Sequence, residues 1–277
     1  MKKLLWFILG SLVFIFIVLL YSRFIGTTSL KVIETVVDTN ILESYDGLKI
    51  VHFTDIHYKK IITEERVKKL VNEVNNTKPD LVLFTGDLLN NLYEMNNSDI
   101  NFLIEQLGNI EAKYGKYAIL GDQDYKDKEI VLNIFIQSKF TVLNNDSAVI
   151  YNEKNEKIIL FGMGSYLEND FDIERLNIDD TSIYQIVLLH EPDMISKVLT
   201  KLPTTSLILA GHSINGSVNI PGIKNLLLPE GANEYYEPYY KINNTDIYIS
   251  NGIGVNNINF RLFNTPSFNL YRLNKIN

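Results

Sequence analysis

Short apolar runs alternate with amphipathic stretches through the first half of this chain. Leu48–Phe53 is rich in β-branched and aromatic residues and follows an Asp-Gly turn, which predicts a strand. Apolar residues then recur every three or four positions over residues 67–74, which predicts a helix. A short apolar run at 81–84 comes next, and the pattern repeats with a helix over 100–107 and a strand over 117–120. This alternation indicates an α/β domain with a largely parallel sheet.

The second half of the chain is richer in short apolar runs. Two of them, residues 148–151 and 158–162, flank a polar turn and predict a hairpin. Further strands are predicted at residues 30–37, 186–189, 207–210, 248–250 and 269–273. No internal repeat or Pro/Gly-rich linker divides this part of the chain, so we expect a single domain over residues 27–277.

The N-terminal segment has a different pattern from the rest of the chain. Residues 4–21 contain no charged side chain, a length that suits a bilayer-spanning helix and exceeds the usual apolar core of a cleaved signal peptide. No small-x-small cleavage pattern follows at residues 22–26, so we expect a membrane anchor over 1–26, with a cleaved signal as the alternative. The basic groups before the apolar run outweigh those after it, which predicts a single-pass cell-membrane protein with an extracytoplasmic domain.

Composition narrows the possible functions. Hydrophobic residues make up 46% of the 277 residues, which is ordinary for a globular protein. The net charge of −7 argues against a nucleic-acid partner. The chain has no cysteine, which excludes disulfides and thiolate chemistry.

Side chains that can bind metals follow five of the apolar runs. They are Asp55 with His57, Asp87, Asp122, His190 and His212. A hydrogen-bonded loop histidine is the alternative for each imidazole alone, but three of them in order with the aspartates favour a shared metal site at the carboxyl ends of the strands. Asp and His together suit Mn, Fe or Zn. The chain has 4 histidines, and the remaining one, His52, lies inside a strand and is expected to be a packed structural residue.

These motifs resemble those of the calcineurin-like metallophosphoesterases, and within them the membrane-anchored bacterial branch. The family pattern runs D-x-H, G-D, G-N-H-D, a histidine before Pro-Asp, and G-H-x-H. In this chain the corresponding segments are Asp55-Ile56-His57, Gly86-Asp87, Gly121-Asp122-Gln123-Asp124, His190-Glu191-Pro192-Asp193 and Gly211-His212-Ser213-Ile214. The resemblance covers nearly everything after the anchor and implies two mixed β-sheets packed as a sandwich, with helices on the outer faces.

The resemblance also implies a two-metal site with two departures. Asp87 would bridge the ions, with Asp55 and His57 on one and Asp122, His190 and His212 on the other. Ile214 stands where the family has a last histidine ligand, and Gln123 stands where the family has the acid that protonates the leaving group. Glutamine has no proton to give near neutral pH, and general acid catalysis is typically worth roughly 10²–10⁴ in rate.

The expected function is therefore hydrolysis of a phosphate ester or pyrophosphate at the membrane or cell-wall face. One or two divalent transition ions would serve as cofactors, and Gln123 or Asn215 would orient the phosphate. The expected partners are the lipid bilayer and a phosphorylated small-molecule, lipid or wall-precursor substrate. The competing interpretation is a metal-binding pseudo-phosphoesterase that acts as a binding module.

Overall fold

Two six-stranded sheets form the centre of the molecule in the computed structural model. The structure describes residues 2–90, 95–176, 182–214, 216, 218–220, 228–255 and 259–276. The strands are β1 (Lys31–Thr39), β2 (Leu48–Phe53), β3 (Leu81–Thr85), β4 (Lys116–Ile119), β5 (Thr141–Val142), β6 (Asp146–Tyr151), β7 (Lys157–Gly162), β8 (Gln185–Leu189), β9 (Leu207–Ala210), β10 (Tyr239–Ile242), β11 (Thr245–Ile249) and β12 (Ser267–Lys275). The helices are α1 (Lys2–Leu20), α2 (Glu64–Asn76), α3 (Asn97–Gly108), α4 (Lys128–Gln137) and α5 (Ile195–Lys201).

Both sheets are mixed. The first has the order β1-β12-β2-β3-β4-β5, with β2 to β5 parallel and β12 antiparallel to β2. The second has the order β10-β11-β9-β8-β7-β6, with β7, β8, β9 and β11 parallel and an antiparallel strand at each edge. The predicted hairpin is β6 and β7.

Inner strands of both sheets, such as β3, β8 and β9, are buried on both faces, which explains their continuous apolar runs. In β3, Leu81 and Leu83 face the layer between the sheets, whereas Val82 and Phe84 pack with the helices on the outer face. Helices α2, α3 and α4 cover the first sheet, and α5 covers the second. The predicted two-sheet sandwich with outer helices is therefore confirmed.

His52 lies at the centre of the first sheet and is fully buried. Its Nε2 hydrogen-bonds with the Thr85 hydroxyl at 2.8 Å, and its ring stacks on Tyr271. Burial lowers the pKa of His52 to about 3, so the ring is neutral. The structure places it as the packed residue that the sequence predicts.

The N-terminal helical segment, Lys2–Ile25, is 24 residues long, with a mean hydropathy of 2.8, and none of its apolar window is buried. This length and composition suit a membrane anchor. The helix continues through a short π-helical turn at Tyr21–Ile25 before the chain enters β1. The boundary after residue 26 and the orientation across the membrane stay predictions.

Candidate metal centre

The carboxyl ends of the two sheets meet at one edge of the sandwich. Strands β2, β3 and β4 of the first sheet deliver the aspartates and one histidine, and β8 and β9 of the second sheet deliver two histidines. The residues that meet are Asp55, His57, Asp87, Asp122, His190 and His212. Except for Asp122, which is partly exposed, these side chains are buried. Ligands in α/β folds bind at this end of the strands.

Left-handed backbone turns direct four of these side chains into the centre. Asp55, His57, Asp87 and His212 have φ angles of 53°, 47°, 62° and 61°. Non-glycine residues rarely adopt these angles, and each such residue costs of order 1–3 kcal/mol. The surrounding fold therefore holds the turns at the site against their local preference.

The first group of ligands contains Asp87, Asp122, His190 and His212, whose ligand atoms lie within 4.8 Å of one another. The Nε2 of His190 and the Nδ1 of His212 lie 3.3 Å apart, and each is 3.2 Å from Asp122 Oδ1. The Asp87 carboxylate faces the same space, 3.5 Å from His190 Nε2.

Backbone carbonyls fix the orientation of both imidazoles in this group. His190 Nδ1 donates to the Thr85 carbonyl at 2.6 Å, and His212 Nε2 donates to the Glu230 carbonyl at 2.7 Å. The opposite nitrogens, His190 Nε2 and His212 Nδ1, then face each other and Asp122. Carbonyl partners of this kind hold metal-binding histidines in place.

The second group contains Asp55, His57 and Asp87. His57 Nε2 lies 3.5 Å from Asp55 Oδ1 and 3.6 Å from Asp87 Oδ2, beyond hydrogen-bond distance. Asp55 Oδ1 and both ring nitrogens of His57 are buried and have no hydrogen-bond partner in the described part of the chain. Buried polar atoms are normally satisfied, so this orphaned set fits a bound cation.

The charges of the centre are strongly coupled. Burial lowers the pKa of His190, but the carboxylates of Asp87, Asp122 and Asp55 outweigh burial and raise that pKa well above its usual value. For Asp122, burial raises the pKa, but hydrogen bonds from His190 and His212 lower it overall. Without a cation, the carboxylates favour the protonated imidazoles of His190 and His212, so metal binding must release protons. The donor set therefore suits a divalent transition ion in both groups.

Asp124 supports the bridging aspartate from behind. Its fully buried carboxylate accepts hydrogen bonds from the backbone N–H groups of Asp87, Gly121 and Leu88 at 2.8, 3.0 and 2.9 Å. Burial and the neighbouring charge of Asp87 raise the pKa of Asp124 to about 7. This carboxylate fixes the turn that carries Asp87, a role that the sequence motif alone does not reveal.

Replacing Asp124 with asparagine should therefore weaken metal binding without removing a ligand. An amide keeps one acceptor oxygen but turns an NH₂ group toward backbone N–H donors that need an acceptor. We expect the dissociation constant for Mn²⁺ or Zn²⁺ to rise by roughly 10- to 100-fold, as for other partners that hold metal ligands in place. Isothermal titration of the metal-stripped protein measures this change, and an unchanged affinity would contradict the assigned role.

The structure places the two departures from the family pattern beside the metal centre. The backbone N–H of Gln123 donates to Asp87 Oδ1 at 3.0 Å, and its side-chain amide donates to Asp122 Oδ2. Lys126 Nζ donates to the amide oxygen of Gln123 at 2.5 Å. The amide is thus engaged by neighbouring side chains, and a role in orienting phosphate stays a prediction.

Ile214 is 1% exposed and has a φ angle of 42°. A β-branched residue in the left-handed region is a genuine outlier. It packs against Gly252, at which an added Cβ would lie 2.6 Å from Ile214 Cγ2 and 3.1 Å from Asp55 Cβ. The side chain therefore occupies space next to the second ligand group, where an imidazole would be needed. Asn215 lies outside the described residues.

A family model described as calcineurin-like phosphoesterase matches residues 48–252, about three quarters of the chain. The chain belongs to this family. The matched segment contains all six of the proposed ligands, and the predicted family is confirmed.

Relatives of the chain include bacterial and vertebrate proteins. The chain is 27% identical over 263 residues to the metallophosphoesterase YkuE of Bacillus subtilis. This alignment covers 93% of this chain and 90% of YkuE. It is 27% identical over 246 residues to a transmembrane protein with metallophosphoesterase domain of Danio rerio, covering 84% of this chain and 54% of that protein, so it spans about half of that relative. The crystal structure of the calcineurin-like phosphoesterase YfkN from Bacillus subtilis matches with 14% identity and a TM-score of 0.46, covering 73% and 80% of the two chains.

Family membership supports a metal-dependent phosphoesterase, and the two ligand groups agree with this metal dependence. The assignment of individual ligands, the identity of the metal and the number of ions stay predictions.

Proposed function

We propose that this protein hydrolyses a phosphate ester or pyrophosphate with the help of two divalent transition ions, Mn, Fe or Zn, at the membrane surface. The observation that carries the proposal is the pair of ligand groups that share Asp87. When bound by these two groups, the ions would polarise a phosphoryl group as Lewis acids and lower the pKa of water. Asp55 and His57 would hold one ion, and Asp122, His190 and His212 would hold the other.

The protein's own residues position these ligands. The Thr54 hydroxyl donates to Asp55 Oδ2 at 2.8 Å, and the backbone N–H of His212 donates to the same oxygen at 3.0 Å. Asp55 therefore turns its other oxygen toward His57 and Asp87. This carboxylate is one of the hydrogen-bonded links between the two sheets, as is the bond from His190 Nδ1 to the Thr85 carbonyl.

The leaving group determines which substrates suit this centre. Gln123, at the family's acid position, has no titratable proton and donates its amide hydrogen to Asp122. A substrate whose leaving oxygen needs no protonation, such as a pyrophosphate or an aryl phosphate, then loses least of the roughly 10²–10⁴ that a general acid contributes. We expect a steep dependence of rate on the leaving-group pKa.

The test is a metal-loaded assay of the full-length protein in detergent. Phosphate release from a series of aryl phosphates and from pyrophosphate should require Mn²⁺, Zn²⁺ or Fe²⁺, and Asp87→Asn should reduce it by more than the 10- to 100-fold typical of losing a partner that only supports a metal ligand. Asp246→Asn is the matched control, since Asp246 is a buried aspartate at the amino end of β11, paired with Lys241. Equal activity in both variants would contradict the proposal.

A second function deserves a test because of Ile214 and Gln123. A pseudo-phosphoesterase that binds metal and a phosphorylated partner would keep the ligand groups yet turn over none of these substrates. Metal bound at stoichiometric level together with no phosphate release from any activated ester would favour this binding module.

A further inference from the structure

The end of the apolar helix is fastened to the domain at a loop beside the metal centre. The backbone N–H of Arg261 donates to the Ser22 carbonyl at 3.1 Å, and Arg23 Nη1 donates to the Asn259 carbonyl at 3.2 Å. Gly26 packs so closely that an added Cβ would lie 2.1 Å from the Arg261 carbonyl oxygen. The helix exit and this loop therefore form one packed unit.

Arg261 links this packed unit to Asp55, a proposed metal ligand, through hydrogen bonds. Its side chain is buried at 1% exposure and donates to the carbonyls of Gly254 at 2.9 Å and Asn251 at 2.7 Å. The backbone N–H of Gly254 in turn donates to the Asp55 carbonyl at 2.7 Å. Three hydrogen bonds thus connect the helix exit to Asp55, one of them made by the Arg261 side chain and two made between backbone groups.

A second connection reaches the other side of the same ligand group. The guanidinium of Arg66, at the start of α2, donates to the Thr27 carbonyl just beyond the helix exit and to the Ile61 carbonyl at 3.0 Å. Ile61 belongs to the loop that follows His57, where the backbone N–H of Lys60 donates to the His57 carbonyl at 3.2 Å. The helix exit is therefore close to both Asp55 and His57.

The surface around this exit is apolar. Phe24 and Ile25 are 64% and 54% exposed, and Phe263, two residues after Arg261, is 77% exposed, the highest value among the large apolar side chains described. Phe263 has a φ angle of 56°, and Asn264 fixes the next position by donating to the Ile214 carbonyl at 2.6 Å. The fold thus holds an aromatic side chain in solvent at a strained position. Exposed apolar residues that continue a membrane-spanning helix mark a lipid-facing surface.

We propose that Phe24, Ile25 and Phe263 insert into the lipid interface and that the metal centre takes its substrate from the bilayer. The substrate class is a lipid with a terminal phosphate or diphosphate. This inference rests on the proposed phosphoesterase function and names its substrate. Water adds to the terminal phosphorus, the bond from that phosphorus to the lipid oxygen or to the inner phosphate breaks, and the leaving oxygen takes up a proton from solvent or leaves as the anion.

The position of the ligand groups favours a lipid substrate. Asp55 and His57 are tied to the residues at which the helix leaves the bilayer, so the ligand groups lie near the depth of lipid head groups. Lys60, in the loop tied to His57, carries a positive charge that suits an anionic head group. A soluble substrate would need neither the tight connection to the anchor nor the exposed aromatic residue.

The lipid-facing surface can be tested without any activity. Trp6 is the only tryptophan of the chain, so a Trp6→Phe background carrying Phe263→Trp has a single tryptophan, at the proposed surface, which can be excited selectively at about 295 nm. In vesicles containing brominated phosphatidylcholine, this tryptophan should be quenched strongly. Ile136→Trp is the matched control, since Ile136 is 66% exposed and lies at the end of α4 toward the amino ends of the strands. Equal quenching at the two positions would overturn the proposed surface.

The substrate class is tested in the same vesicles with matched pairs of probes. The metal-loaded full-length protein should release phosphate from phosphatidic acid faster than from glycerol 3-phosphate, or from a polyprenyl diphosphate faster than from isopentenyl diphosphate. We expect a preference of about tenfold or more at equal bulk concentration, because enzyme and lipid share one surface. Phe263→Asp should remove this preference and leave hydrolysis of an aryl phosphate unchanged.

The outcomes separate this inference from the function on which it rests. Hydrolysis of aryl phosphate with no preference for the lipid of either pair would overturn the lipid substrate and leave the phosphoesterase intact. No hydrolysis of any probe by metal-loaded protein would contradict the phosphoesterase, and the quenching experiment would still decide whether the surface meets the bilayer.

Discussion

Removing the metal should lower the melting temperature of the full-length protein by about 5–10 °C. A ligand at a hundredfold excess over its dissociation constant stabilises the folded state by roughly 2.7 kcal/mol, and each kcal/mol corresponds to about 2–4 °C for a domain of this size. Stripping the ion also leaves three buried or partly buried aspartates to be balanced by protonated imidazoles alone. Scanning calorimetry with and without a chelator measures the shift.

Of the four histidines of the chain, His52 is not a proposed ligand and provides the control for this experiment. His212→Ala removes a ligand of the first group and should abolish most of the chelator response. His52→Gln changes a fully buried histidine that faces Thr85 and Tyr271. This variant should melt at a lower temperature than the wild type yet lose as many degrees on chelation. A chelator response that survives in His212→Ala would contradict the ligand assignment.

The sandwich and the meeting of the ligands follow from the sequence for a clear reason. A strand buried on both faces shows as an unbroken apolar run, and the first polar residue after it marks the edge of the sheet. Asp87 after β3 and His190 after β8 illustrate this rule. Since parallel strands of one sheet end at the same edge, the pattern predicts that Asp87 lies near Asp55 and that His190 lies near His212. The packing of the two sheets, which the family resemblance implies, then brings the two edges together.

The hydrogen bonds that hold the metal ligands in place could not be predicted from the sequence. They join segments far apart in the chain, and each depends on a single carbonyl, carboxylate or guanidinium group. The carbonyls of Thr85 and Glu230 orient the two imidazoles, and backbone carbonyls have no residue-specific signal. Asp124 is visible in the Gly-Asp-Gln-Asp motif, but its bonds to the turn of Asp87 depend on how β3 and β4 lie side by side. The same holds for Arg261, whose partners lie on the loop after β11 and at the end of the apolar helix.

Ile214 shows that local sequence and fold disagree at the centre itself. Isoleucine disfavours the left-handed region, in which histidine and asparagine are several-fold enriched. The backbone at residue 214 is nevertheless left-handed, and Asn264 and Gly252 fix it there. The turn keeps the shape that suits a ligand, while the side chain is one that cannot bind a metal.

Ile214→His should consequently raise the metal content of the purified protein toward two full ions, because the group of Asp55, His57 and Asp87 has one ligand fewer than the other group and should lose its ion more easily in the wild type. The imidazole would complete the group of Asp55, His57 and Asp87, and histidine tolerates the existing backbone angle better than isoleucine does. Ile214→Gly is the matched control, because it relieves the backbone strain and supplies no ligand. Elemental analysis of the two variants separates the imidazole from the relief of strain. A second ion in the glycine variant, or none in the histidine variant, would mean that Ile214 does not mark a missing ligand.

Gln123→His should act on a different step, and it supplies the sharpest test of the altered site. A histidine there can protonate a leaving oxygen, so it should accelerate alkyl phosphates with poor leaving groups by up to roughly 10²–10⁴ and leave activated aryl phosphates nearly unchanged. The dependence of rate on leaving-group pKa should therefore flatten. Its metal content should stay that of the wild type, since the backbone N–H bond from residue 123 to Asp87 is kept.

The double variant Ile214→His with Gln123→His should exceed the product of the two single effects on alkyl phosphates. An acid helps only when the phosphorus is held in line with it, and the metals provide that alignment, so the two residues act as a unit and their effects are not additive. Gln123→Asn with Ile214→His is the control, since it keeps an amide at the acid position. If the leaving-group dependence of the double variant stays as steep as in this control, the loss of a proton donor at residue 123 does not limit the reaction. The pairing of both positions with the family's acid and ligand would then be wrong.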